Sequence, residues 1–168
     1  MICIVDYGVG NIQAFLNLFK RLGIEVCRAD SPLLISRAKR LILPGVGHFD
    51  HAMKQLNASG LRPMLEKLVI SDQVPVIGIC VGMQMLAQGS DEGSLPGLNW
   101  VPGNVRAFPT YTNQANLPMP HMGWNTLQLQ KPSKLLSNKF SEEAQFYFLH
   151  SYYFEANDRS DVVATSFY

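Results

Sequence analysis

The sequence predicts a single α/β domain on a doubly wound, mostly parallel sheet, with antiparallel strands added in its second half. Three observations carry that expectation. Short apolar, β-branched runs alternate with amphipathic segments of helical spacing through the first half of the chain. Glycine-rich turns follow two of those runs directly, on the strand ends where ligand sites collect in such sheets. From Trp100 onward the texture changes to strand-like runs with little helical patterning between them.

Taken in order, Met1 to Asp6 reads as a buried first strand, leading through Tyr7-Gly8-Val9-Gly10-Asn11 into an amphipathic helix from Ile12 to Leu22 that Gly23 closes. The paired glycines lack the third glycine of a dinucleotide fingerprint. Ile24 to Arg28 and Arg40 to Leu43 are the next strands, the latter ending in the loop Pro44-Gly45-Val46-Gly47-His48-Phe49. Phe49 to Ala58 and Leu61 to Ile70 are helical, the second opened by a proline near its first turn. A strand beginning near Val74 breaks at Gly78-Ile79-Cys80-Val81-Gly82, and Met83 to Ala87 is compatible with helix. After the polar turn Gln88 to Gly93, the stretches Trp100 to Phe108, Thr126 to Gln130, Phe146 to Phe154 and Val162 to Ser166 read as strands.

The 168 residues amount to one domain, 1–168, with no linker, repeat or low-complexity segment to divide it. Such a length buries roughly 70% of the unfolded surface. Fourteen basic and thirteen acidic residues leave a net charge of +1, with no long run of either sign. This speaks against nucleic acid and membrane surfaces as partners. The N-terminal run is too short, and too soon interrupted by Asp6, for a secretory signal, so the expected compartment is cytoplasmic. Three cysteines, Cys3, Cys27 and Cys80, have no metal-ligand spacing, and no cofactor motif is complete. His48 and His51 stand three apart without a third ligand nearby and read as ordinary polar residues; no metal is expected.

Gly78-x-Cys80-x-Gly82 between a strand and a helix is the cysteine form of a nucleophile elbow, in which a tight turn displays one side chain. A cysteine just before a helix start also lies near unpaired backbone N–H groups, which favour thiolate. The alternative, a small buried apolar residue, is the usual state of a free cysteine. Cys3 and Cys27, inside strands, fit that alternative.

Two stretches of the second half stand out in composition. Pro120-His121-Met122-Gly123-Trp124-Asn125 is expected to be a loop whose indole and thioether are either a core plug or a surface anchor for a partner. Phe146-Tyr147-Phe148-Leu149-His150-Ser151-Tyr152-Tyr153-Phe154 reads as one dense aromatic strand in which the histidine is structural.

With these motifs in this order, the chain resembles, from Met1 to its last residue, the glutaminase subunits of imidazole glycerol phosphate synthase, within the class I (triad) glutamine amidotransferases. The resemblance implies a flavodoxin-like fold. It also implies hydrolysis of L-glutamine to glutamate and ammonia through a thioester on Cys80, with the ammonia passed to a (β/α)8-barrel cyclase partner in histidine biosynthesis. It places the oxyanion hole at Val81 and the Gly45-Val46-Gly47 loop, glutamine at Gln84, Glu92, His150, Ser151 and Tyr152, and the partner interface at Asn11, His121, Met122, Gly123, Trp124 and Asn125. Members of the family complete their triad with a His-x-Glu motif after a strand like Val162 to Ser166, and this sequence ends at Tyr168 without one. The chain is therefore expected to be a form lacking the C-terminal segment, with little or no activity of its own. Two further readings stay open: an amidotransferase subunit serving a different, for example sugar-modifying, barrel synthase, and a non-catalytic partner-binding subunit. A cysteine peptidase on the same fold would need a histidine soon after the elbow, which is absent.

Overall fold

Four apolar strands lie side by side in the order β2-β1-β3-β4, all parallel, in the computed structural model, which describes residues 1–109, 118–136 and 144–168. They are β1 (Ile2–Val5), β2 (Val26–Ala29), β3 (Arg40–Gly45) and β4 (Val76–Cys80). The central strands are continuously apolar through Ile2–Val5 and from Leu41 to Leu43 because helices cover both faces there, whereas the edge strand β2 carries the exposed Arg28. On one face, helix α1 (Ile12–Arg21) covers Ile4 and Ile42, with Phe15, Phe19, Ile77 and Ile79 around them. On the other, α2 (Pro32–Ile35), α3 (Phe49–Ala58) and α4 (Arg62–Glu66) bury Ile35, Phe49, Met53, Leu56 and Leu65 against Cys3, Val5, Leu41 and Leu43. Truncating one of these buried leucines would cost about 2–5 kcal/mol.

Local chemistry sets the helix limits. The Asn11 side chain accepts a hydrogen bond from Ala14 N–H at 3.1 Å and so caps α1, whose last turn carries Lys20 and Arg21 against the negative end of the helix dipole. The helix expected from Leu61 to Ile70 is two pieces. After α4 the chain widens into a π turn at Lys67–Ser71, closed by Asp72 N–H donating to Lys67 O at 3.0 Å and by a 2.8 Å ion pair between the same two residues. After β4, helix α5 (Val81–Gln84) is a single turn, starting and ending earlier than the expected Met83 to Ala87.

The second half adds antiparallel pairs: β5 (Gly103–Ala107) with β9 (Tyr152–Ala156), β6 (His121–Thr126) with β8 (Gln145–His150), and β7 (Gln128–Leu129) with β10 (Ala164–Thr165). Residues following α5 tie β5 to the elbow: Gln88 N–H donates to Gly103 O, Val105 N–H to Gly89 O and Asp91 N–H to Val105 O. Two expectations are corrected here. His121 to Asn125 is a strand, formed because it pairs residue for residue with the aromatic β8 from His121↔His150 to Thr126↔Gln145. Phe146 to Phe154 is two strands that belong to different pairs, separated at Ser151. Among the described residues no helix is long and apolar enough to cross a membrane.

Candidate functional site

Cys80 ends β4 with φ 56° and ψ −124°, a backbone conformation that glycine ordinarily occupies in a type II′ turn. Holding a β-carbon there costs of order 1–3 kcal/mol. The neighbouring packing enforces it. A β-carbon on Gly82 would lie 2.0 Å from Leu43 O, and one on Gly78 would lie 2.4 Å from Met83 Cα. Both distances are impossible, so the Gly-x-Cys-x-Gly spacing is what lets the first turn of α5 rest directly on β3 and β4. The result is an exposed cysteine at the carboxyl edge of the sheet, without a hydrogen-bonding partner among the described residues. Cys80 is therefore displayed and not packed as a small apolar residue. Because α5 is one turn long, the dipole behind the sulfur is that of a few peptides only.

Gly45 stands directly opposite Cys80 in the β3–β4 ladder, so the expected loop from Pro44 begins two residues later than its sequence implies. Gly45 also lies against α5, where a β-carbon would meet Gly82 N at 2.3 Å. Val46 is exposed, and Gly47 turns the chain with φ 80°. His48 then caps α3, its Nδ1 accepting from Asp50 N–H at 3.2 Å.

The turn that holds Glu92 is fastened to the same loop. Glu92 Oε2 accepts from Phe49 N–H at 2.8 Å, and the Asp50 carboxylate accepts from Leu95 N–H at 3.0 Å and Ser94 N–H at 3.1 Å. Those backbone donors hold the Asp50 carboxyl below its usual range. Beneath the elbow, Tyr7 is buried and donates to Pro44 O at 2.7 Å, its hydroxyl 3.4 Å from Met85 Sδ. Burial raises the Tyr7 phenol, and the nearby Cys80 acts in the same direction. Gln84, in α5, is 8% exposed, and its Oε1 has no partner. Tyr7 lies in the glycine-rich stretch from Tyr7 to Asn11 and Asp50 in the expected helix from Phe49, and neither was assigned a role from sequence alone.

The remaining candidates gather elsewhere. His150 Nδ1 lies 2.8 Å from Tyr152 O, which can only accept, so this nitrogen carries the proton. In the neutral ring His150 Nε2 is then the acceptor of the 3.0 Å hydrogen bond from His121 Nδ1. His121 is buried between Phe148 and Tyr168, and burial followed by the charge of His150 depresses its pKa. Ser151 O accepts from Phe108 N–H at 3.4 Å. Among the described residues no hydrogen bond or ion pair joins His150, Ser151 or Tyr152 to the Cys80 elbow.

Strand alternation also divides the stretch from His121 to Asn125. His121 points inward, whereas Met122 and Trp124 are 58% and 67% exposed and pair across the ribbon with exposed Leu149 and Tyr147. Strand alternation thus packs His121 inward and turns Met122 and Trp124 outward. Asn11 is exposed and engaged as the α1 cap. Among the described residues no group of three or more metal-ligating side chains comes together.

The comparisons with known proteins agree with one another. The family model described as glutamine amidotransferase class-I matches residues 3–167. The imidazole glycerol phosphate synthase subunit HisH of Bdellovibrio bacteriovorus is 54% identical over 168 residues, covering all of this chain and 82% of its own length. The HisH subunit of Leptospira borgpetersenii is 42% identical over the same span, with the same coverage. A solved structure described as a glutamine amidotransferase superposes with a TM-score of 0.70 at 21% identity, over 98% of this chain and 79% of that one, which supports the fold.

Proposed function

Because the chain belongs to the class-I glutamine amidotransferases, we propose that it is a glutaminase subunit that releases ammonia from glutamine for a (β/α)8-barrel cyclase partner in histidine biosynthesis. The observation that carries this reading is the exposed Cys80 held at a positive φ by glycine packing on both sides. Its thiolate attacks the side-chain amide carbon of glutamine. The tetrahedral oxyanion collapses as the nitrogen is protonated and leaves as ammonia, and water then opens the thioester to release glutamate.

Within this reading Val81 N–H is the first oxyanion donor, and the Gly45-Val46-Gly47 loop supplies the second, an arrangement worth about 10² to 10³ in rate per donor. Gln84 contributes a buried oxygen with unmet acceptor capacity, suited to a donor group of the bound glutamine. Glu92 keeps one carboxylate oxygen on Phe49 N–H, which stiffens the oxyanion loop while its other oxygen serves the substrate. His150, Ser151 and Tyr152 contribute from the β8–β9 junction, and the outward face of β6, Met122 and Trp124 with Gly123 and Asn125 beside them, meets the barrel together with Asn11. His121 supports that face from behind.

A second reading, a partner-binding subunit with little turnover, is favoured by one specific observation. Among the described residues no histidine hydrogen-bonds Cys80, while His121 and His150 are committed to each other. A general acid and base are needed both to expel ammonia and to activate water, each worth about 10² to 10⁴. We accordingly expect these 168 residues to show little steady-state ammonia release with a barrel partner, and the same chain extended through a His-x-Glu segment to turn over. Comparable turnover by both lengths would make one of the present histidines the base. Failure of both would favour the binding subunit.

A further inference from the structure

Outside the site, two cysteines that the chemistry above does not use face each other in the sheet. Cys3 and Cys27 are direct partners in the parallel β1–β2 ladder, and their sulfur atoms lie 3.0 Å apart, closer than non-bonded sulfurs normally sit. We propose that Cys3 and Cys27 form a redox-active dithiol that closes to a disulfide between β1 and β2 when the protein meets a small-molecule disulfide.

The backbone is already in place for the bond. Neighbouring strands lie about 4.8 Å apart, inside the Cα separation of roughly 4.4 to 6.8 Å that disulfides span. Both side chains project to the same face, beneath α2, where Cys3 Sγ lies 3.9 Å from Leu34 O. β2 is an edge strand, and Cys27 is half-buried where Cys3 is fully buried, so a reagent enters from the Cys27 side. Cys80 stands on β4, two strands away from β1, and is separate from the pair.

The chemistry balances as thiol–disulfide exchange. The Cys27 thiolate attacks one sulfur of oxidised glutathione and expels one glutathione thiolate, leaving a mixed disulfide on Cys27. Cys3 then gives up its proton, attacks Cys27 Sγ and expels the second glutathione. Burial, followed by the hydrogen bond with Cys27, pushes the Cys3 thiol up to about 12, which makes Cys27 the entry point and Cys3 the resolving group. The bond would join the edge strand to the strand that feeds the Tyr7 to Asn11 loop. The Asp6–Arg28 ion pair, at 2.5 Å, already links the same two strands further along.

The test uses the folded Cys80→Ser chain, which leaves only the pair. After incubation with oxidised glutathione, both thiols should be lost together and the mass should fall by two hydrogens. One cross-linked peptide should contain Cys3 and Cys27, and the melting temperature should rise by about 5 to 10 °C. A Cys3→Ala version should instead retain one glutathione on Cys27 and gain no thermal stability. Persistence of both thiols, a stable glutathione adduct on the chain that still has Cys3, or identical behaviour of the two versions would overturn the proposal.

Discussion

Replacing the displayed cysteine with glycine should stabilise the fold, a result that follows from its backbone and not from its chemistry. Cys80 sits at φ 56° and ψ −124°, where a β-carbon costs about 1–3 kcal/mol and glycine costs nothing. Glycine gives back about 0.5–1 kcal/mol through the greater freedom of the unfolded chain. The side chain is exposed, so losing it forfeits little burial. Relative to Cys80→Ala, which keeps the strained β-carbon and lacks sulfur equally, Cys80→Gly should therefore be more stable by about 0.5–2 kcal/mol. For a domain of this size that is roughly 2–6 °C in melting temperature. Thermal and urea unfolding of the two variants side by side measures it, and neither variant should form a thioester from glutamine. A Cys80→Gly chain melting at or below Cys80→Ala would refute the argument that the elbow stores strain at Cys80.

Three other outcomes test the surrounding architecture. Gly82→Ala places a β-carbon 2.0 Å from Leu43 O and should cost about 3 kcal/mol or more, whereas Gly47→Ala, with no atom within 4 Å, should cost only the roughly 1–2 kcal/mol of its positive φ; equal losses in urea unfolding would contradict the close contact of β3 with α5. Trp124→Ala should leave the melting temperature of the free chain nearly unchanged and weaken binding of the barrel partner; a loss of about 3–5 kcal/mol in the free chain would assign the indole to the core. Asp50 has its carboxyl depressed in the fold, so it stabilises above the unfolded carboxylate value of about 3.9 and loses that contribution as pH falls through the folded value. The melting-temperature gap between the native chain and Asp50→Asn should narrow as the solution is acidified, and a gap independent of pH would sink this account.

The parallel half of the fold was legible because burial on both faces makes β1 and the middle of β3 uninterrupted apolar runs, and the run into Cys80 is apolar as well. Met1 to Asp6 and the run into Cys80 needed no partner to be recognised. β6 was not legible for the opposite reason. Gly123 and Asn125 are poor strand formers, and the order in this segment comes from its ladder with β8. In Phe146 to Phe154 aromatic residues continue across the junction, so nothing in composition marks Ser151 as the point where the chain leaves one pair of strands for another. Pro44 and Gly45 looked like the start of a loop, but pairing with Ile79 and Cys80 extends β3 through them.

The site divides along the same line between local and non-local information. An elbow is a constraint on five consecutive residues, so its glycines and its cysteine must appear at fixed spacing, and they do. What fastens the loop after β3 is different in kind: Glu92 reaches Phe49 N–H, Asp50 reaches the backbone at Ser94 and Leu95, and Tyr7 reaches Pro44 O. Each of these contacts spans more than thirty residues. The side chain in each contact, read alone, is an ordinary acid or phenol. The same holds for His121 and His150, which the ladder sets opposite each other and whose shared proton is fixed by a third group, Tyr152 O. A general base for Cys80 belongs to this non-local class, because a side chain that shuttles a proton to the displayed sulfur must approach from a segment other than the tight turn itself. The elbow's own residues therefore mark Cys80 as the displayed side chain, and any proton-transfer partner must be recognised from a segment distant in sequence.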